Sequence, residues 1–109
     1  MATIIKVDGE CVDVAPKNGK TYSFTEIKQL AGLPPSTFLQ LVPLGKLNEH
    51  TTTDTGEVVR EIENALLVCD EDGHRNRLSL NKTATNLLQD KVLGPVMGNV
   101  MVCHSNEIN

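Results

Sequence analysis

The stretch Leu66–Leu88, LLVCDEDGHRNRLSLNKTATNLL, decides how this chain is read. Apolar residues from Ala65 to Cys69 predict a strand. Asp70-Glu71-Asp72-Gly73 predicts a turn, and His74 to Leu80 a basic return strand. Asn81 is placed to cap a helix from Lys82 to about Asp90. The densest group of cations sits here: three of the ten Lys and Arg fall between Arg75 and Lys82.

Upstream, Thr3 to Val7 and Cys11 to Val14 flank Asp8-Gly9, a hairpin signal, and Pro16 stops the second strand. Asn18-Gly19 marks another turn, and Tyr22 and Phe24 suggest a short extended segment. Ser23 or Thr25 caps a helix over Glu26 to Ala31, and Gly32 ends it. Phe24, Ile27 and Leu30 recur at helical spacing, so they are expected to face the core. Thr37 to Leu44 reads as a strand in which Pro43 requires an edge position or a bulge.

Gly45 to Gly56, with Thr51, Thr52, Thr53 and Thr55, reads as a mobile loop or an insertion. Glu57 to Asn64 fits either a short helix or an alternating strand. Downstream, Val96 to Cys103 predicts a last strand kinked at Gly98-Asn99. The predicted fold is α+β: one small domain over residues 1–109, mostly antiparallel, with two short helices in the approximate order ββαββαβ.

Composition narrows the class. A chain of 109 residues suits one domain, and with two Phe, one Tyr and no Trp its core must be aliphatic. A net charge of -4 argues against broad nucleic-acid binding, which needs a basic face. No apolar run reaches the ~18 residues of a membrane span. Lys6 and Asp8 break the first apolar run, so no secretory pattern is expected. Cys11, Cys69 and Cys103 each lie in an apolar run without a paired spacing, which predicts reduced, buried thiols in a cytoplasm.

The cationic stretch is a candidate anion site. His74, Arg75 and Arg77 would lie on the return strand, the two arginines on one face. Asn81, Lys82, Thr83 and Thr85 would lie at the helix start. Free backbone N–H groups and the helix dipole favour an anion there, and a guanidinium can grip phosphate through two parallel hydrogen bonds. A plainer reading pairs Arg75 and Arg77 with Asp70, Glu71 or Asp72 across the hairpin, and leaves Asn81 as an N-cap.

Other chemistry is weaker. Asp70 to Gly73 begins like a calcium loop but lacks the ligand positions that follow, and reads as a solvated turn. Cys103-His104 and the pair Cys69 and His74 lack zinc-ligand spacing. A Cys–His nucleophile pair needs only to meet in space, but buried thiols fit better. With no G-x-S-x-G, H-E-x-x-H or P-loop, no catalytic residue, metal or cofactor is assigned.

Several segments together resemble a family of short proteins of bacteriophages, plasmids and their bacterial hosts, described only as a domain of unknown function. They are Asp8-Gly9, PKNGK at 16–20, FTEIKQLAG at 24–32, VPLG at 42–45, LVCDEDG at 67–73, LNKTATNLL at 80–88 and VMGNVMVC at 96–103. The resemblance covers nearly the whole chain. It departs in a longer segment at 45–56 and in Leu33-Pro34-Pro35, where a second glycine and an aromatic are expected. It implies a mobile-element setting and a bacterial host cytoplasm, and carries no catalytic residues.

The expected function is therefore a non-enzymatic binding protein. One form is a counter-defence sponge, a homo-oligomer that sequesters a small anionic, nucleotide-derived signal. The alternative is a protein–protein inhibitor or adaptor that contacts a host protein through Glu57 to Glu63 and the Thr-rich segment. A small nucleotide-degrading enzyme using His74 or His104 as general acid–base is the third reading. No nucleic-acid or membrane partner is expected.

Overall fold

A computed structural model describes residues 2–53, 56–73, 75–88 and 94–108, with side chains outside 48–60. The elements are β1 (Ala2–Ile5), β2 (Cys11–Val14), α1 (Phe24–Ala31), β3 (Leu39–Thr53), β4 (Gly56–Asp70), α2 (Lys82–Leu87), β5 (Val100–His104) and a short 3-10 turn, Ser105–Glu107. The fold is α+β, and its order is the expected ββαββαβ. The five strands form one antiparallel sheet in the order β2-β1-β5-β4-β3.

Strand alternation divides the core into two layers, one on each face of the sheet. Ile4 pairs with Met101 and Val68 also pairs with Met101, so these three share a face. Tyr22, Ile27 and Ala31 cover that face, the last two from α1. Ile5 pairs with Val100, and Leu67 with Val102, on the opposite face. Ala84 and Leu88 of the α2 region cover it, together with Val96. With helices on both sides, β5 is buried from Val100 to Cys103.

α1 begins where Ser23 accepts a hydrogen bond from the Glu26 N–H, and ends where Gly32 turns left-handed at φ 69°. Ile27 and Ala31 are buried and Leu30 packs beside them, but Phe24, expected in the core, is 43% exposed. The buried stripe is rotated toward Glu26, whose Oε2 accepts a hydrogen bond from the Lys17 N–H and so ties the Asn18-Gly19 turn to the helix.

The largest correction concerns residues 45–56. Gly45 to Thr53 is the second half of β3 rather than a loop, Asp54 and Thr55 lie outside the described residues, and 57–64 takes the strand of its two expected alternatives, within β4. Pro43 is in an edge strand and beside a bulge, as its missing N–H demands. The register shifts between Pro43 and Gly45 and again before Leu47, with Gly45 at φ 68° and Asn64 at φ 52°. These two irregularities keep Leu44, Leu47 and Ile62 on the same core layer. Beyond Leu47 and Ile62 the two strands continue as a ribbon to the Thr53–Gly56 pair. β5 accompanies β4 only from Ala65 to Val68.

The second correction is the return strand. Residues 75–77 are turns, and only Leu80 makes an isolated bridge, to Met97. The last strand likewise starts at Val100 rather than Val96, after Gly98 at φ 76°. No helix among the described residues is long and apolar enough to cross a membrane.

Candidate functional site

The acidic turn is shaped by one buried carboxylate. Asp70, 7% exposed, accepts hydrogen bonds from the Asp72 N–H (2.8 Å) and from Asn76 Nδ2 (2.9 Å). The Glu71 N–H donates to the Phe38 carbonyl, tying the turn to the start of β3. The Asn76 and Leu78 N–H groups then donate back to Asp72 and Gly73 carbonyls, at 2.8 and 3.0 Å. The chain therefore winds on itself instead of returning as a strand. Arg77 closes the winding in the left-handed region, at φ 54°.

That geometry corrects the expected strand face. Arg75 and Arg77 lie on a coiled turn, exposed, without the period of two that would align them. Among the described residues neither arginine has an ion-pair partner, so the expected pairing with Asp70, Glu71 or Asp72 across a hairpin is not found, and Asp70 clasps Asn76 instead. Lys82 is also exposed at the start of α2, which has 6 residues. His74 lies outside the described residues.

Two of the remaining expected ligands, Asn81 and Thr85, are held in internal hydrogen bonds. Asn81 is fully buried: its Oδ1 accepts from the Ala84 N–H, and its Nδ2 donates to the Ile5 and Gly98 carbonyls, each at 2.9 Å. One amide thus caps α2 and joins it to the ends of β1 and the segment entering β5. Thr85 Oγ1 accepts from the Val96 N–H at 2.9 Å. Thr83 is half-buried beside the Asp8-Gly9 turn, where a β-carbon added at Gly9 would lie 3.6 Å from its Oγ1. Of the seven residues expected to bind, Arg75, Arg77 and Lys82 present charge to solvent, while Asn81 and Thr85 are committed to internal hydrogen bonds.

Sequence reasoning overlooked a second polar clamp. Asn99 Oδ1 accepts from the Val7 N–H and its Nδ2 donates to the Ala31 carbonyl, joining β1's exit to the end of α1. Beside it lies an open pocket of about 190 Å³, lined by Val7, Ala31, Leu33, Leu78, Ser79 and Asn99. Its only sequence signal was the kink at Gly98-Asn99, which says nothing of a long-range contact.

The thiols separate by environment rather than all being buried. Cys103 is buried, Cys69 half-buried and Cys11 exposed on edge strand β2. Burial, reinforced by Glu107, pushes Cys103 up to about 12, and burial beside Asp70 pushes Cys69 up to about 11. Both are therefore poor nucleophiles at neutral pH. His104 Nδ1 accepts the Asn106 N–H, while Glu107 accepts the His104 N–H, so the pair caps the final 3-10 turn. Among the described residues no group of three metal-binding side chains converges.

No family model, no curated protein and no solved structure matches this chain.

Proposed function

We propose that this chain is a non-enzymatic binding protein that engages a partner protein through the ribbon formed by the outer halves of β3 and β4. The carrying observation is that pairing continues from Leu47–Ile62 out to Thr53–Gly56 with no third strand among the described residues. A two-stranded ribbon is marginal by itself in water, and open strand edges invite pairing with another chain. The resemblance to mobile-element proteins supports an inhibitor or adaptor acting on a bacterial host protein.

The test replaces residues 48–61 by a two-residue Asn-Gly turn and compares the intact and shortened chains as bait in bacterial lysate. A partner retained by the intact chain should be lost by the shortened one and should rebind when purified. Equal capture by both chains would remove the ribbon from the reading.

The exposed cations favour a second reading, capture of a small anion. Arg75, Arg77 and Lys82 sit close in sequence, all exposed and, among the described residues, without acidic partners. In this reading the nucleotide-derived signal would bind to side-chain charge alone. A thermal-shift screen with nucleotides, cyclic oligonucleotides and ADP-ribose derivatives tests it, because a ligand of the folded state raises the melting temperature. A shift abolished by both Arg75→Ala and Arg77→Ala would support it; one retained in both would exclude this site.

A further inference from the structure

We infer that the step left in the sheet where β5 ends is a docking position for a basic, extended segment of another polypeptide, which adds as a strand along β4 at residues 57–62. This inference rests on the ribbon as the contact surface and names the chemistry of its partner.

β5 makes its last pair with β4 at His104–Ala65, and the chain then turns into the 3-10 segment. That turn is locked by His104, whose Nδ1 accepts the Asn106 N–H and whose own N–H donates to the Glu107 carboxylate, and the Glu107 carbonyl accepts the Tyr22 N–H. β5 therefore cannot lengthen to fill the row. β4 nevertheless continues to Gly56, paired there, among the described residues, with β3 alone. In an antiparallel strand, successive residues direct their N–H and C=O groups to alternate sides. Along 57–62, half of these groups face away from β3, in line with β5. A peptide strand entering there would satisfy them, as in strand addition to a sheet edge.

Charge selects the occupant. Residues 56–64 contain three glutamates, Glu57, Glu61 and Glu63, against one arginine, Arg60. Glu61 and Glu63 are exposed, and Glu61 remains 47% exposed even with Lys46 at 3.1 Å. A second copy of the chain would set this acidic segment against itself, so a partner with Lys or Arg at alternate positions fits better. The outer edge of β3 is broken by Pro43 and by the register shifts up to Leu47, and runs unbroken only from Leu47 to Thr53.

The experiment titrates the intact protein with a short peptide alternating lysine and valine, and in parallel with its glutamate–valine counterpart. Backbone amide exchange is followed by NMR. The lysine peptide should slow alternate amides within 57–62 by about tenfold or more, an effect of about 1.4 kcal/mol, and leave 39–44 unchanged. The glutamate peptide should do nothing. The double variant Glu57→Lys, Glu61→Lys, with its β3–β4 cross-strand contacts checked in the same spectra, should lose the response. Unchanged 57–62 amides, or an equal response to the glutamate peptide, would overturn the inference. If a lysate partner still depends on the ribbon in that case, the contact surface stands and only the basic-strand docking falls. Loss of ribbon dependence would remove both.

Discussion

The amide of Asn81 holds three backbone groups from three parts of the chain. Asn81→Ala would strip the cap from the Ala84 N–H and two donors from the Ile5 and Gly98 carbonyls. We expect a loss of about 3 kcal/mol in urea unfolding, the sum of a lost cap and a buried unsatisfied carbonyl. Asn81→Asp should also be strongly destabilising, since it keeps the acceptor but points negative oxygen at both carbonyls. Losses under about 0.5 kcal/mol, the level of an ordinary surface substitution, would refute the clasp. The cap was legible because Asn before a polar, Thr-rich helix start has few other uses. The two carbonyl contacts were not, since Ile5 lies far away in sequence. The thiols supply a pH test. Cys69 and Cys103 rise from 9.0 to about 11 and about 12, so the folded chain holds these protons more tightly than the unfolded chain. Their contribution should be complete below about pH 9 and fall away as pH climbs through 11 and 12. Alkaline unfolding should follow that window, with a shallower fall in Cys103→Ala. Alkylation of the native protein near pH 8 should reach Cys11 first; equal rates at all three would contradict the burial order.

At the scale of elements, α1 was readable because both its signals are local. Ser23 three residues before Glu26 and Gly32 after Ala31 are cap chemistry, and both are found doing that work. Gly32→Ala should cost about 1 kcal/mol, because alanine is strained in the left-handed region, and helical signal should fall with the thermal midpoint. No loss would mean that the helix end relaxes without cost. The outer half of the β3–β4 hairpin was unreadable for the opposite reason, although its inner halves were expected as strands. Sequence patterning reports burial, and a strand with one face on a core alternates polar and apolar residues. From Asn48 to Thr53 every residue is polar, so the β3 half of the ribbon has no alternation to detect, and Glu57 to Asn64 fits a helix as well as a strand. The turn after Asp70 misled in the other direction. Asp-Glu-Asp-Gly is ordinary hairpin chemistry, but a buried Asp70 carboxylate holding Asp72 and Asn76 winds the chain instead. The strand that was to carry the candidate site is absent: Arg75 and Arg77 stay exposed on a turn, without a common strand face.

At the scale of the molecule, stability and contact surface separate. β1, β5 and the inner half of β4 lie between two packed layers, while the outer hairpin is, among the described residues, a ribbon paired with itself. Interior strands exchange their amide hydrogens only in near-global opening, whereas a ribbon without a third strand can open locally. In dilute solution the amides of Val100, Met101 and Val102 should therefore be the slowest, and those of residues 57–61 faster by orders of magnitude. The concentration dependence is the decisive part. If the chain assembles with itself through the ribbon, protection at 57–61 should rise with protein concentration while that at 100–102 stays fixed. If the ribbon is reserved for a different polypeptide, as the acidic β4 edge argues, protection at 57–61 should remain low at every concentration and rise only when a basic strand is added. Slow exchange at 57–61 in the dilute, isolated chain would show that another part of the protein covers the ribbon, and would remove it as a free surface.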